Sequence, residues 1–268
     1  MLFLMQQLET VAARGSAGLS TGARQQLIKA LYGLQQDDGG FAGLDGCSDP
    51  YFSLFAWLSL RALGSADEHA RICVYMAGHC TSKVFVDALC ARLLLTLEGQ
   101  IRPDSWWRAL VTRETWSSYQ AYGAFFKLLN MVRCPRWFAR GLWWFYKQRL
   151  QVQVLAHLPT PRLAAGLVLA SCAGVAAQNL VKTLVARHVL TGGFSSAPTA
   201  APDLLATAVA RFALEIQQQE IRHETQGADL IFIENCWLES GLFGASPAAI
   251  KGDAEQTFYG LLALGTCR

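Results

Sequence analysis

The sequence is short of charge. Only 16% of its 268 residues are Asp, Glu, Lys or Arg, while 52% are hydrophobic; charged residues make up about a quarter of an average soluble domain. The net charge is +3, too small to point to a nucleic acid by itself. No apolar run reaches the roughly 18 residues that a transmembrane helix needs. The opening MLFLMQQLE has no basic region and too short an apolar core for a secretory signal. The eight cysteines form no Cys-x-x-Cys pair. Apolar neighbours around Cys90 and Cys172 predict buried free thiols in a reducing compartment, not a disulfide framework. A cytoplasmic protein is expected. Strand-type alternation of any length is missing too, which excludes a large sheet.

What is present is a repeat. Gly192, Phe194 and Pro198 match Gly241, Phe243 and Pro247, and Asp203 and Asp253 each then open an apolar helix. A third copy has Gly39, Phe41 and Asp49. In all three, a small hydroxyl lies four residues after the aspartate (Ser53, Thr207, Thr257) and a leucine eleven after it (Leu60, Leu214, Leu264). Gly192 and Gly241 are 49 residues apart, and Gly39 and Gly192 are 153 apart, three times 51. The spacing predicts degenerate copies near residues 90 and 141. The glycines suit a turn with positive φ. The aspartates suit N-caps, and Pro50 suits the first helical position.

The apolar pattern predicts a leading helix over 2–14 and then two alternating sets. Helices apolar nearly all round begin near 49, 83, 115, 161, 203 and 253. Amphipathic ones begin near 21, 66, 104, 136, 174 and 218. Six buried and six half-buried helices predict one all-α domain over 1–268, an α/α toroid with inner helices around a central cavity; an open solenoid is the alternative.

The glycine–Phe turns and aspartate-capped helices resemble the prenyltransferase and squalene-cyclase repeat, found in protein prenyltransferase β subunits and class II terpenoid cyclases. The stretch Gly241 to Gly265 is most similar to the last repeat of geranylgeranyltransferase β subunits. The resemblance implies the six-plus-six toroid and an isoprenoid-handling enzyme. Its substrate would be a polyprenyl or polyene molecule in the apolar cavity, and its reaction cyclisation or prenyl transfer. The transferases hold zinc through Asp, Cys and His at helix starts. Here Gln256 stands where the histidine belongs, before Thr257, and Leu205 and Tyr51 stand at the cysteine position after Asp203 and Asp49. Asp45-Gly46-Cys47 has suitable letters but lies in a turn. No zinc or other cofactor is expected. Only Lys251 lies where a diphosphate clamp would. The cyclases use Asp-x-Asp-Asp-Thr, whose middle aspartate is the general acid; the matching residues are Asp253, Ala254, Glu255, Gln256 and Thr257. On this resemblance Asp253 and Glu255 are the catalytic candidates, Glu255 being the better proton donor. The expected substrate contacts are Asp49, Tyr51, Asp87, Tyr119, Asp203, Thr207, Lys251, Gln256, Thr257 and Tyr259.

Plainer readings stand beside these. Asp49 and Asp203 serve equally as N-caps. Asp87, amid apolar residues, either pairs with a distant group or faces a polar cavity. His157, His188 and His223 follow no ligand spacing and are expected at the surface or at helix ends. The interleaved basic and aromatic residues of 133–149 suit a membrane interface, a partner subunit or packing on a neighbouring helix. A toroid that has lost its zinc and diphosphate sites would be a non-catalytic binding or scaffold subunit, the second functional reading.

Overall fold

The computed structural model describes residues 4–65, 69–102, 136–148, 155–218 and 223–267. Eleven helices lie among them. They are α1 (Leu4–Ala17), α2 (Thr21–Tyr32), α3 (Pro50–Ala62), α4 (His69–His79), α5 (Phe85–Leu97), α6 (Arg136–Gln148), α7 (Thr160–Ala173), α8 (Gln178–Val185), α9 (Leu204–Ile216), α10 (His223–Asn235) and α11 (Ala254–Thr266). Two two-residue strands, β1 (Phe194–Ser195) and β2 (Pro202–Asp203), pair antiparallel just before α9. The protein is thus mostly helical. The helix and the amphipathic partner expected near 115 and 104, together with Tyr119, lie outside the described residues.

Inner helices α3, α7, α9 and α11 bury nearly their whole length, whereas α2 buries only Leu27 and Leu31. This follows from composition: α3 and α9 have almost no charge to keep in water, and burying a leucine-sized side chain contributes roughly 1.5–3 kcal/mol. Helix α11 packs on α9 and on α3, α9 on α7, and α3 on α5, so the last inner helix touches the first.

The three repeat copies share one joint. Asp49, Asp203 and Asp253 cap α3, α9 and α11 through Oδ1, accepting from the N–H groups of Tyr51 (2.7 Å), Ala206 (2.6 Å) and Gln256 (2.7 Å). Ser53, Thr207 and Thr257, one turn on, accept from the backbone N–H of Phe41 (2.8 Å), Phe194 (2.9 Å) and Phe243 (3.2 Å). Each phenylalanine is thereby held under its own inner helix, fully buried. Gly39, Gly192 and Gly241 have φ of 89°, 104° and 85°, a region that favours glycine. A Cβ at Gly39 would approach Arg71 O of α4 at 2.6 Å, one at Gly192 would overlap Ala228 O of α10, and one at Gly241 would approach Gln26 Cγ of α2 at 2.8 Å. The last turn therefore leans on the first amphipathic helix, and the Gln26 amide donates to Glu239 O at 3.0 Å.

The degenerate copies expected near 90 and 141 carry no glycine turn at those positions: α5 and α6 run through both. The link into α5 is residues 80–84, closed by the Ser82 hydroxyl, which accepts from Val84 N at 3.1 Å. A link that short has no room for the long glycine turn, and the repeat period contracts there. Helix α8 is also shorter than the expected 174–188, because α7 ends on Gly174 in the left-handed region (φ 68°).

Helix α1 lies against α11 and α3. Its Gly15 and the facing Gly265 of α11 let two backbones touch: a Cβ at Gly15 would overlap Leu261 O, and one at Gly265 would overlap Val11 O. Ser16 Oγ donates to Ala62 O at 2.6 Å, and Arg14 pairs with Glu215.

His188 departs from the surface position expected of it. Its Nε2 lies 2.8 Å from Asp229 Oδ1, which also accepts from Gly193 N at 2.7 Å, while Arg211 pairs with Asp229 Oδ2. Arg211 further donates to Thr266 O at 2.9 Å. Burial alone would push the Asp229 carboxyl up; the His188, Gly193 and Arg211 donors outweigh it and hold the group below the usual carboxylate range. The network ties the Gly192 turn to α9, α10 and the end of α11.

Candidate functional site

Among the described residues, α1, α3, α5, α7, α9 and α11 line one cavity. Counted from the first residue of each helix, the wall is built from the second, fifth or sixth, and ninth positions. Tyr51, Leu54, Phe55 and Leu58 come from α3, Leu93 from α5, and Pro161, Arg162, Ala164, Ala165 and Val168 from α7. Leu205, Val209 and Phe212 come from α9, Phe258, Tyr259 and Leu262 from α11, and Met5 and Leu8 from α1. That stripe recurs with helical period in α3, α7, α9 and α11, which show the same face to the lumen. The space between these side chains is about 870 Å³, open mouth and crevices included. Among the described residues, polar groups enter the wall at Tyr51, Arg162 and Tyr259, in the first two turns of their helices; the ninth-position ring and the α1 residues are apolar.

Behind the lining Tyr51, and not itself among the lining residues, sits a carboxyl. Glu255, in the first turn of α11, accepts a 2.5 Å hydrogen bond from the Tyr51 hydroxyl of α3. Burial, against the pull of the Tyr51 hydrogen bond and with a further push from the charge of Asp253, raises the Glu255 carboxyl to about 6. Burial, Tyr259 and Glu255 drive the Tyr51 phenol upward, so it stays a donor. Aromatic rings surround the pair. Tyr51 meets Phe55 at 4.9 Å, and Phe55 meets Phe258 at 5.6 Å and Tyr259 at 5.5 Å.

The other expected contact residues divide. Tyr51 and Tyr259 line the lumen. Asp49, Asp203 and Asp253 are occupied as caps, and burial raises the carboxyls of Asp203 and Asp253. Thr207 and Thr257 are fully buried, their oxygens turned to Phe194 and Phe243 instead of the lumen, because the fourth helical position points away from the second and sixth. Asp87 accepts from Ser82 Oγ at 3.3 Å in the first turn of α5, so its partner is local. Lys251 is exposed in the loop before α11. The side-chain oxygen of Gln256 is buried and accepts no hydrogen bond.

Sequence reasoning passed over Arg162. It stands third in α7, the register of Gln256 in α11, but α7 is preceded by Pro159 without a side-chain cap. Without the aspartate marker, the helix start could not be aligned with the other copies. For metals the residues do not fit. Among the described residues no group of three or more His, Cys, Asp or Glu could hold an ion, and Leu205 gives its position to the apolar wall. Cys47 is exposed in its turn, with its N–H bonded to Asp45 Oδ1 at 3.0 Å. Cys90 and Cys236 are buried free thiols that burial pushes up and keeps protonated.

No protein-family model and no curated protein matches the sequence. Among solved structures, a type II terpene cyclase from Scytonema, determined in complex with its substrate geranylgeranyl dihydroxybenzoate, is similar over 98% of this chain and 86% of that chain, at 12% identity and a TM-score of 0.40.

Proposed function

We propose that the chain is a single α/α toroid of six inner and six outer helices that binds a polyprenyl or polyene substrate in its lumen and cyclises it by proton transfer from Glu255. The observation that carries this reading is the hydrogen bond from Tyr51, which lines the polar end of an otherwise apolar, aromatic-lined cavity, to Glu255 directly behind it. A carboxyl raised to about 6 retains a protonated fraction near neutrality and suits a general acid. With Tyr51 donating to Oε1, the proton resides on Oε2. Its O–H bond breaks as a C–H bond forms at one alkene carbon; the π electrons make that bond and leave a carbocation on the other carbon. A second double bond of the chain closes the ring, and loss of a proton ends the sequence. Glu255 regains its proton from water. The faces of Phe55, Phe258 and Tyr259 would stabilise the cation, and the apolar wall would shield it from water.

The second reading is a toroid that binds an apolar ligand without turnover. The caps already filled at Asp49, Asp203 and Asp253 and the exposed Lys251 favour it over prenyl transfer, which needs a diphosphate clamp. Incubation with squalene-like polyenes and prenyl diphosphates, read by mass spectrometry, separates the two. Cyclised product lost in Glu255→Gln supports the acid. Ligand retained on the purified protein, with no product from any polyene, supports the binding subunit.

A further inference from the structure

We propose that α6 is a docking surface for an anionic lipid bilayer. The proposal is independent of any catalysis in the lumen. The helix divides its aromatic residues between two faces. Phe138 is buried, and Trp143 and Tyr146 pack on the core; the Tyr146 hydroxyl donates to Arg162 O at 2.9 Å and its ring lies where a Cβ at Gly166 would go. Trp144 and Phe145 face outward, 57% and 61% exposed, with Trp137 on the same side at 60%. Packing on a neighbouring helix therefore accounts for Phe138, Trp143 and Tyr146, and among the described residues Trp144 and Phe145 remain exposed.

Charge selects the occupant. The sequence of α6, RWFARGLWWFYKQ, has three basic residues and no acidic one. At 100° per residue, Arg136, Arg140 and Lys147 form one stripe directly beside the stripe of Trp144 and Trp137; all three are exposed, Arg140 with its Nε donating to Ala173 O at 3.2 Å. Indole rings at headgroup level with guanidinium and ammonium groups alongside are the interfacial arrangement. Each basic group near an anionic leaflet contributes about 1 kcal/mol. A protein partner would have to supply a purely acidic, apolar surface for the same fit. The position is also useful: Tyr146 ties the C-terminal half of α6 to Arg162 at the polar end of the lumen. A bilayer held there lies beside the end through which an apolar ligand would pass.

The test uses the full chain with phosphatidylcholine vesicles, with and without phosphatidylserine. The protein should sediment with the phosphatidylserine vesicles at low salt, and the bound fraction should fall at high salt. The double substitution Trp144→Ser, Phe145→Ser should lower the bound fraction by about tenfold or more, the loss of two buried aromatic anchors. Arg140→Gln with Lys147→Gln should remove the phosphatidylserine dependence. Brominated lipid should quench the fluorescence of the wild type more than that of Trp144→Phe. Trp143→Ser is a control that should lower thermal stability without changing the sedimentation of the folded fraction. Absence of sedimentation of the folded wild type overturns the proposal, as do unchanged sedimentation of the double variant and a dimer that only the Trp144 and Phe145 substitutions dissociate.

Discussion

The Gly192 and Gly241 turns are built alike and held differently. In both, a threonine hydroxyl takes the phenylalanine N–H, and an aromatic side chain six residues earlier meets the phenylalanine ring edge-on at 5.0 Å: His188 on Phe194, Trp237 on Phe243. Behind His188, however, lies the buried Asp229–Arg211 pair, while Trp237 packs against the hydrophobic core and its turn is tied by the Gln26 amide on Glu239 O. The second difference is at the second helical position, Leu205 in α9 and Glu255 in α11. Positions that face the turn keep their chemistry from copy to copy. Positions that face the lumen, or the wall behind the turn, do not. The repeat is a frame, and the individuality of the molecule lies in the lumen stripe.

The largest effect should come from breaking what only the first turn has. Asp229→Ala leaves Arg211 buried and unpaired, which costs roughly 3–5 kcal/mol; chemical denaturation should show it, and adding Arg211→Leu should recover part of the loss. No such sensitivity is expected at the second turn, where Trp237→Phe should be far milder. The Asp229 carboxyl is held low in the folded state. Its contribution is therefore present above the unfolded pKa and is lost as pH falls through the folded value. Acid should unravel this turn through Asp229, and Asp229→Ala should show a shallower loss of stability at low pH than the wild type.

What the turns share should be equally costly in both. Thr207→Val and Thr257→Val each leave a buried N–H without an acceptor, about 1–3 kcal/mol, measured as ΔTm or a shifted denaturation midpoint. A large asymmetry between them would break the equivalence. Gly192→Ala should exceed Gly241→Ala, since the first Cβ would overlap a backbone carbonyl while the second would meet Gln26 Cγ at 2.8 Å and the Gln26 backbone oxygen only at 3.1 Å.

The frame was legible in the sequence because it is made of discrete markers. Glycine at positive φ, aspartate at the cap and the hydroxyl four residues on are single residues with single jobs. The inner-helix starts near 49, 83, 161, 203 and 253 agree with α3, α5, α7, α9 and α11 to within two residues. The lumen was less legible. Its wall is written in leucine, valine and phenylalanine, which read the same whether they face a cavity or a neighbouring helix. Glu255 could be picked out by its place after Asp253. Its link to Tyr51 spans 204 residues and leaves no local trace. The buried charge of Asp229 was hidden in a helix that reads as polar, and His188 was passed over because hydrogen bonding to one carboxylate requires no sequence spacing.

The lumen difference can be sharpened at Glu255. Its folded carboxyl is raised above the unfolded value, from 4.5 to about 6, so ionisation opposes folding. Stability from this group is full below pH 4.5 and falls as pH rises through about 6, by about 2 kcal/mol at 1.36 kcal/mol per unit. Glu255→Gln, whose amide oxygen can still accept from Tyr51, should match the wild type near pH 4.5 and exceed it at pH 8. A Glu255→Gln protein that is less stable at pH 8 would mean that the ionised carboxylate is paired in solution.

The smallest effect should come from Tyr51→Phe. The hydroxyl donates to Glu255 and is the group that pulls its pKa back down. Removing it leaves burial and the charge of Asp253 unopposed, so the Glu255 pKa should rise above about 6. The ring still packs on Phe55, so the cost at acid pH should be slight, within about 0.5–1.5 kcal/mol for one hydrogen bond. The pH window in which stability falls should move upward, and the Tyr51→Phe, Glu255→Gln double variant should lose that window altogether. Leu205→Glu gives the comparison its control. That carboxyl would enter the lumen at the same helical position without a tyrosine facing it across the α3–α11 contact, and its titration should be unmoved by Tyr51→Phe. If Tyr51→Phe instead left the Glu255 window where it was, the hydroxyl would be no more than packing, and the short hydrogen bond at the polar end of the lumen would lose its role in setting the acid.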